Sequence, residues 1–263
     1  MYEFHKDKKR YFEYQYWTAR DYIIPFLSDK INLENKLQVL EVGCAEAGVL
    51  KAFLETGHQC TGIELSEART DLAKEFQKDA IKEGRLKFIN RNIYDIDEER
   101  DLESKFDLII LKDVIEHIPD QQKIIARLKD FLLPGGIIFF GFPPWQMPFG
   151  GHQQICQNKI LKALPWYHLL PYGIYRKILK AGGEREAIIK ELIEIKDTGI
   201  SIGQFETYCK RNNLKILKRK FFLTNPIYKF KFGLPVIAYP KFIGFIPFIR
   251  NFYITASYYI VSD

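Results

Sequence analysis

The sequence has few cysteines and no long apolar run, and each of these features excludes some classes of protein. Its four cysteines, Cys44, Cys60, Cys156 and Cys209, are widely spaced and form no Cys-x-x-Cys pair. This indicates free thiols in a reducing compartment and argues against a structural zinc site, so we expect no bound metal. The first residues lack the apolar core of a secretory signal, and no uninterrupted apolar run reaches the roughly 18 residues of a spanning helix. We therefore expect a cytoplasmic protein.

Acidic side chains are also absent from most of the carboxyl-terminal fifth of the chain. Residues 207–262 contain ten Lys or Arg, no Asp or Glu, and fourteen Phe or Tyr. A basic and aromatic surface suits an anionic membrane, a nucleic acid, or a phosphorylated or lipid-linked substrate. The alternative is a core-forming segment whose lysines face water, because the alternation Lys-Phe-Lys-Phe at 229–232 also suits a half-buried strand. The composition leaves both interpretations open, including a peripheral contact with a membrane.

Apolar segments alternate with amphipathic ones over residues 37–142, which is the pattern of βαβ units in a parallel sheet. We predict a helix over 11–27 and strands over 37–42, 59–64, 85–90, 106–111 and 137–142. Helices are predicted over 49–56, 66–83, 121–131, 172–181, 184–194 and 202–211, and two further strands over 214–222 and 252–261. The predicted fold class is α/β: a doubly wound, mostly parallel seven-stranded sheet with a helical insertion after strand five.

The loop after the first predicted strand carries the strongest functional signal. It reads Glu41-Val-Gly43-Cys-Ala-Glu-Ala-Gly48, and its small residues let the backbone pass close to a ligand at the start of the next helix. A nicotinamide-binding loop would have a third glycine, in the pattern G-x-G-x-x-G. Glu64 follows 16 residues after Gly48, near the offset of about 20 residues at which a carboxylate accepts both ribose hydroxyls of an adenosine ligand.

This loop, in the form E-x-G-x-x-x-x-G, resembles motif I of class I S-adenosylmethionine-dependent methyltransferases, of the type 11/12-like kind. Three further segments are similar to this family: 88–95, 106–120 with its Glu-His-Ile, and Leu-Leu-Pro-Gly-Gly at 132–136. Asn92 stands where the family usually has an acidic residue at the adenine amino group. The resemblance is strong over 37–142 and weak, by topology, over 201–263. It implies a Rossmann-like fold and S-adenosylmethionine as cofactor, but it does not identify the acceptor.

The resemblance also implies a set of cofactor-binding residues. The glycine loop would contact the methionine part, Glu64 the ribose, and Asn92 with Ile93 the adenine. The residues from Leu111 to Asp113 would form the floor near the sulfonium. The full set is Glu41, Gly43, Cys44, Ala45, Gly48, Glu64, Leu65, Asn92, Ile93, Leu111, Lys112 and Asp113.

His152 is the candidate catalytic base. It follows Gly150 and Gly151 on the segment that leaves the fifth predicted strand at its carboxyl end, where ligands of open α/β sheets bind. A base matters if the acceptor is a hydroxyl, whereas in-line alignment of the reacting groups supplies much of the remaining rate. The alternative is a loop histidine with no chemical role. We interpret His117, within the family's Glu-His signature, as structural.

These observations predict three regions and one principal function. Residues 1–35 would form a helical cap, 36–142 with 201–263 the cofactor-binding domain, and 143–200 an inserted acceptor lid. The predicted reaction is methyl transfer from S-adenosylmethionine to an oxygen of a small-molecule, sugar-linked or lipid-linked acceptor. The alternatives are an RNA methyltransferase that uses the basic carboxyl-terminal region and a non-catalytic module that binds the cofactor or a partner.

Overall fold

A computed structural model describes residues 7–240 and 248–263, and one sheet forms the centre of this part of the chain. Strands β1 to β7 span Gln38–Val42, Gln59–Ile63, Leu86–Ile89, Phe106–Lys112, Leu132–Phe142, Lys215–Phe222 and Ala256–Ser262. Their order is β3-β2-β1-β4-β5-β7-β6. Strand β7 is antiparallel to β5 and β6, and the other pairs are parallel. The predicted seven-stranded, mostly parallel and doubly wound sheet is confirmed.

Helices cover both faces of the sheet. Helices α1 to α13 span Lys8–Thr18, Ile24–Leu27, Gly48–Glu55, Glu67–Phe76, Lys78–Lys82, Glu98–Asp101, Gln121–Leu128, Lys159–Ala163, Tyr172–Ala181, Glu186–Thr198, Ile202–Arg211, Ile227–Phe232 and Arg250–Tyr253. A π-helical turn, Ala19–Ile23, joins α1 to α2. Ser66 caps the amino-terminal end of α4, and its hydroxyl accepts a hydrogen bond from the Arg69 N–H at 3.4 Å. No helix among residues 7–240 and 248–263 is long and apolar enough to cross a membrane.

Three differences between the predicted and the observed elements have a clear structural reason. The helix over 66–83 is interrupted at Gln77, whose buried side chain donates to the Ala47 carbonyl at 3.4 Å. Strand β5 begins at Leu132, five residues before the predicted start. Its pairing with β4 shifts register between Phe106 and Leu108, and this irregularity accommodates the Pro-Gly-Gly segment, which would not fit a regular ladder. The last strand begins at Ala256 because α13 occupies 250–253, where the Asn251 side chain accepts from the Ile202 N–H at 2.9 Å.

Adjacent residues of the central strands are buried on opposite faces. Phe139 and Tyr258 belong to the apolar layer under α1 to α3, whereas Phe140 and Tyr259 belong to the layer under α7 and α11. All four side chains are fully buried. Successive strand residues point to opposite faces, so a strand in a sheet that is covered on both sides needs a continuous apolar run. The sequences of β4 and β5 contain such runs.

Residues 143–200 form a small layer with an apolar core of its own, which includes Tyr175 and Leu192. The Trp145 N–H donates to the Ile200 carbonyl at 2.8 Å and closes the two ends of this insertion. The Thr198 hydroxyl donates to the Glu116 carbonyl at 2.6 Å. The insertion is therefore hydrogen-bonded to the loop that follows β4.

Part of the basic carboxyl-terminal region stabilises the fold. Glu206 of α11 pairs with Arg219 of β6 and with Arg250 of α13, both at 2.8 Å, and accepts from the Tyr259 hydroxyl at 2.8 Å. Lys218 pairs with Asp29. These basic residues meet acidic partners from earlier in the chain, so the excess positive charge of the segment is smaller in space than along the sequence.

Helix α1 packs directly on the start of α3, and Gly48→Ala is expected to disturb this contact. A methyl group at Gly48 would overlap the Phe12 carbonyl oxygen and lie 2.8 Å from the Gln15 Cβ. Overpacking of this kind costs about 1–3 kcal/mol, which urea unfolding would measure. Gly203→Ala is the matched control, because a methyl group at that helical glycine meets nothing within 4 Å. Equal stability of the two variants would contradict the prediction.

Candidate functional site

The loop between β1 and α3 follows a strained path across the carboxyl ends of the strands. The N–H groups of Gly43 and Cys44 both donate to the Ile63 carbonyl, at 2.7 and 3.1 Å. Ala45 and Ala47 have φ values of 50° and 62°, a left-handed conformation that non-glycine residues rarely adopt. Such strain persists where the surrounding structure enforces it, and it concentrates at ligand sites.

Glu64 is held at the end of β2 by two backbone groups. Its carboxylate accepts from the Ala45 N–H and from the Ser66 N–H, each at 2.9 Å. Each carboxylate oxygen has two lone pairs, so both oxygens can accept one further hydrogen bond. The sequence predicted that Glu64 lies at the end of the second strand, near the glycine-containing loop. The structure shows that the Glu64 carboxylate is hydrogen-bonded to this loop through the Ala45 N–H.

A cavity of about 190 Å³ opens on one side of Gly43. Glu64, Leu65, Asn92 and Ile93 line it, together with Val42, Ile63, Arg91, Tyr94, Val114, His117, Ile118 and Pro119. Leu65 is 71% exposed, which is unusual for leucine and suits a flat apolar ligand. The side-chain oxygen (Oδ1) of Asn92 already accepts from the Tyr94 N–H at 3.1 Å.

A second cavity, of about 60 Å³, lies on the other side of Gly43. Six further candidates line it: Glu41, Cys44, Ala45, Gly48, Lys112 and Asp113. Leu111 lines neither cavity, because its side chain is fully buried in the apolar layer under α7. All residues that the sequence analysis proposed for cofactor contact, except Leu111, therefore line one of two adjoining cavities.

Sequence reasoning missed the residues that cover the second cavity. Tyr11, Phe12 and Gln15 of α1 line it, as does Arg69 of α4. The Gln15 amide donates to the Tyr11 hydroxyl at 2.8 Å. A helical cap was predicted over residues 1–35, but the sequence did not indicate which of its side chains face the cavity; the contact of α1 with Gly48 determines this.

The floor of the second cavity carries several charged groups. Lys112, at the end of β4, forms an ion pair with Asp113. Burial raises the pKa of Glu41 well above its usual value; Lys112 opposes this and Glu64 adds to it. One Glu41 carboxyl oxygen has no hydrogen-bond partner in the described part of the chain. A bound ammonium group beside Glu41 would supply the missing partner and favour the ionised carboxylate.

Asp113 has a left-handed backbone, with φ of 56°. Its N–H donates to the Gly141 carbonyl at 2.7 Å, which ties the end of β4 to β5. Its side chain lines the second cavity.

His152 lies beside the loop that follows β4. Its ring centroid is 4.8 Å from that of His117, and the potential ligand atoms of Glu116, His117 and His152 all lie within 4.8 Å of one another. Histidine and carboxylate groups bind divalent metals, so these three residues could hold one. The expectation of no metal stays a prediction, and metal analysis of the purified protein checks it.

Trp145 packs within the insertion instead of projecting over the cavities. Its ring faces Gly199, where an added methyl group would lie 2.5 Å from a ring carbon, and the Lys196 ammonium lies 5.5 Å from its centroid. His168 hydrogen-bonds the Trp145 carbonyl at 2.9 Å. Trp145 is therefore a structural residue at the base of the insertion.

Comparison with known sequences gives related proteins. A family model described as "Methyltransferase domain" matches residues 11–177. The ubiquinone biosynthesis O-methyltransferase of Coxiella burnetii (strain RSA 493 / Nine Mile phase I) is 31% identical over 117 residues, which cover 44% of this chain and 47% of that protein. A protein of the same name from Actinobacillus pleuropneumoniae serotype 7 (strain AP76) is 29% identical over 210 residues, which cover 78% and 76%. The chain spans about half the length of the first of these relatives.

Solved structures share the fold. A putative sarcosine dimethylglycine methyltransferase from Galdieria sulphuraria superposes with a TM-score of 0.57 at 12% identity, covering 93% of this chain and 85% of that one. The magnesium protoporphyrin IX methyltransferase from Synechocystis PCC 6803 with bound SAH gives a TM-score of 0.54 at 12% identity, covering 94% and 82%. At these identities the likeness concerns the fold alone.

Proposed function

Because the chain belongs to the class I S-adenosylmethionine-dependent methyltransferases, we propose that it transfers a methyl group from S-adenosylmethionine to an oxygen of a small-molecule acceptor. The pair of cavities that meet at Gly43 supports this proposal most directly. One has largely apolar walls that suit an adenine ring, and the other has the charged groups that suit an amino acid.

Each side chain then has a role in holding the cofactor. Glu64 accepts the ribose hydroxyls, while Leu65 and Ile93 pack against the adenine. Glu41 accepts from the cofactor ammonium through its unpartnered oxygen. Asp113, at the boundary of the second cavity, lies next to the methyl group. Gly43, Cys44, Ala45 and Gly48 line the second cavity at the place of the methionine part.

The transfer itself needs alignment more than acid–base chemistry. The acceptor oxygen forms a bond to the methyl carbon as the carbon–sulfur bond breaks, and that electron pair stays on sulfur as S-adenosylhomocysteine forms. The hydroxyl proton must leave, and a positioned base contributes about 10²–10⁴-fold to such a step. The curated relatives are named O-methyltransferases, which supports oxygen as the acceptor atom; a sugar-linked or lipid-linked acceptor remains part of the proposal.

A labelling experiment tests the proposed function. The purified protein is incubated with methyl-tritiated S-adenosylmethionine and a cell extract, and the label is then measured in separate small-molecule, lipid, RNA and protein fractions. We expect the label in the small-molecule or lipid fraction. Label confined to RNA would favour the nucleic-acid alternative, and binding of bulk RNA should then weaken steeply with salt. Absence of label, with the cofactor still bound, would favour a non-catalytic module.

Replacing His152 tests its role as the base. His152 has a φ of 53°, so asparagine, which tolerates positive φ, removes the imidazole with little backbone strain. If His152 takes the acceptor proton, His152→Asn should lower turnover by about 10²-fold or more. Affinity for S-adenosylhomocysteine, measured by calorimetry, should not change, because His152 lines neither cavity. Unchanged turnover on the labelled fraction would show that the histidine has no chemical role.

A further inference from the structure

A groove of about 510 Å³ lies at one edge of the sheet. It borders β6, which is the last strand in the sheet order. Lys220 and Phe222 of β6, Lys229 of α12, and Leu234 and Val236 from the segment after α12 are among the residues that line it. None of its lining residues lines either of the two cavities at Gly43. It is therefore a separate binding site, and we call it the edge groove.

The segment that forms the outer part of the edge groove is tied to the domain at both ends. At one end, the Phe230 ring of α12 packs against Tyr22, with centroids 6.4 Å apart. At the other end, the Leu223 N–H, directly after β6, donates to the Ile237 carbonyl at 2.8 Å. The side chains of residues 233–237 are therefore presented from a backbone that is held in place.

Two ammonium groups lie at aromatic rings of this groove. The Lys220 ammonium lies 5.3 Å from the centroid of the Phe222 ring, and the Lys229 ammonium lies 5.7 Å from that of the Tyr22 ring. Both rings line the groove, as do both lysines. The two positive charges therefore belong to the groove itself.

The charge of these two lysines is not neutralised by a neighbouring side chain. Among residues 7–240 and 248–263, neither Lys220 nor Lys229 pairs with a carboxylate, whereas Lys218 pairs with Asp29 and Arg219 with Glu206. In the same part of the chain, no Asp or Glu lines the groove. The edge groove thus favours a negatively charged ligand.

Large aliphatic side chains are exposed beside the two lysines. Leu234, which lines the groove, is 45% exposed, and Ile237 is 47% exposed. Apolar side chains next to cations suit the boundary between lipid headgroups and acyl chains. A nucleic acid would instead use flat rings on which its bases stack, and a second copy of this chain would bring lysines against lysines. The surface chemistry favours an anionic bilayer.

We propose that the edge groove docks the protein on a bilayer that contains anionic phospholipid. Lys220 and Lys229 contact the lipid phosphate, and Leu234 with Ile237 enters the boundary below the headgroups. The contact is peripheral and reversible, because two lysines and two aliphatic side chains are far from the anchoring strength of a spanning helix. This inference goes beyond the proposed methyl transfer and does not depend on it.

Sedimentation with vesicles tests the proposal. The full chain is mixed with vesicles of phosphatidylcholine alone, or with about one quarter phosphatidylglycerol, at about 0.1 M salt. We expect the wild type to bind the anionic vesicles at least tenfold more tightly. The double variant Lys220→Gln/Lys229→Gln should lose tenfold or more of this affinity, because each lysine near an anionic surface contributes about fivefold. Leu234→Ser should lose at least threefold with both lysines in place.

A matched double variant separates the groove from the overall charge. Lys210→Gln/Lys215→Gln removes two exposed lysines of the same basic segment that do not line the groove, and it should lose less than threefold. Equal losses in the two double variants would overturn the groove in favour of general attraction to the membrane. Failure of the wild type to bind anionic vesicles, or full binding by Leu234→Ser, would overturn the docking.

Two other ligands and one cofactor measurement complete the test. Binding of glycerol 3-phosphate as tight as that of the vesicles would assign the groove to a soluble phosphate and overturn the membrane contact. Loss of RNA binding, but not of vesicle binding, in Lys220→Gln/Lys229→Gln would assign it to nucleic acid. Every variant should bind S-adenosylhomocysteine as the wild type does, which shows an intact fold. A wild type that does not bind this compound would refute the proposed function and leave the vesicle result valid.

Discussion

Replacing Glu64 by alanine is expected to lower the affinity for S-adenosylhomocysteine by at least tenfold. The carboxylate is held by the Ala45 and Ser66 N–H groups, so its direction is set before a ligand arrives. Hydrogen bonds to a charged group contribute about 1.5–3 kcal/mol each, and two ribose hydroxyls would donate to this one. Calorimetry with the purified variant measures the loss.

Two further variants near the start of α4 show what the Glu64 carboxylate contributes to binding. Glu64→Gln keeps the size of the side chain and one kind of acceptor, so its affinity should fall between the wild type and Glu64→Ala. Glu67→Ala removes an exposed carboxylate three residues later and should bind as the wild type does. A Glu64→Ala protein that binds the ligand normally would remove this residue from the cofactor site.

Glu206→Leu is expected to cause the largest loss of stability. It removes the acceptor of the Arg250 guanidinium, whose side chain is only 6% exposed, and of the buried Tyr259 hydroxyl. Removing one partner of a buried ion pair costs about 3–5 kcal/mol because the other charge stays buried. The free energy of unfolding in urea should fall by an amount near the lower end of that range, since Glu206 itself is 23% exposed.

Arg219 provides the control for this prediction. It pairs with the same carboxylate at 2.8 Å, but its side chain is 53% exposed. Exposed ion pairs contribute about 0–1 kcal/mol, so Arg219→Leu should change stability little. If the two variants lose equal stability, the burial of Arg250 is not what makes the interaction at Glu206 important.

The sequence predicted the parts of the site that depend on local chemistry. The Gly43 loop and Glu64 could be predicted because their signals lie close together in the sequence. These signals are the end of a strand, a run of small residues and a carboxylate 16 residues after Gly48. Leu111 was assigned by its place next to Lys112, but alternate strand residues point to opposite faces. Its side chain therefore enters the apolar layer while its neighbour reaches the cavity.

The side chains that cover the second cavity could not be predicted in this way. Tyr11, Phe12 and Gln15 of α1 and Arg69 of α4 line it, and which side chains of these helices face the cavity depends on how the helices pack. The composition of 207–262 was compatible with a membrane surface or with a core. The pairing of Glu206 with Arg219 and Arg250 supports the core interpretation for that part of the segment. Likewise, aromatic residues at 252–253 indicated a strand by composition, but the backbone turns there as α13.

The helix over the second cavity has a consequence for the kinetics of the protein. Tyr11, Phe12 and Gln15 of α1 line this cavity, so a ligand in it would be covered by this helix. If this helix has to move aside to admit a fresh donor molecule, it has to do so again before the spent one departs. The dwell time of the spent donor would then follow the opening rate of α1, and at saturating acceptor that opening would limit how often the protein can repeat its cycle.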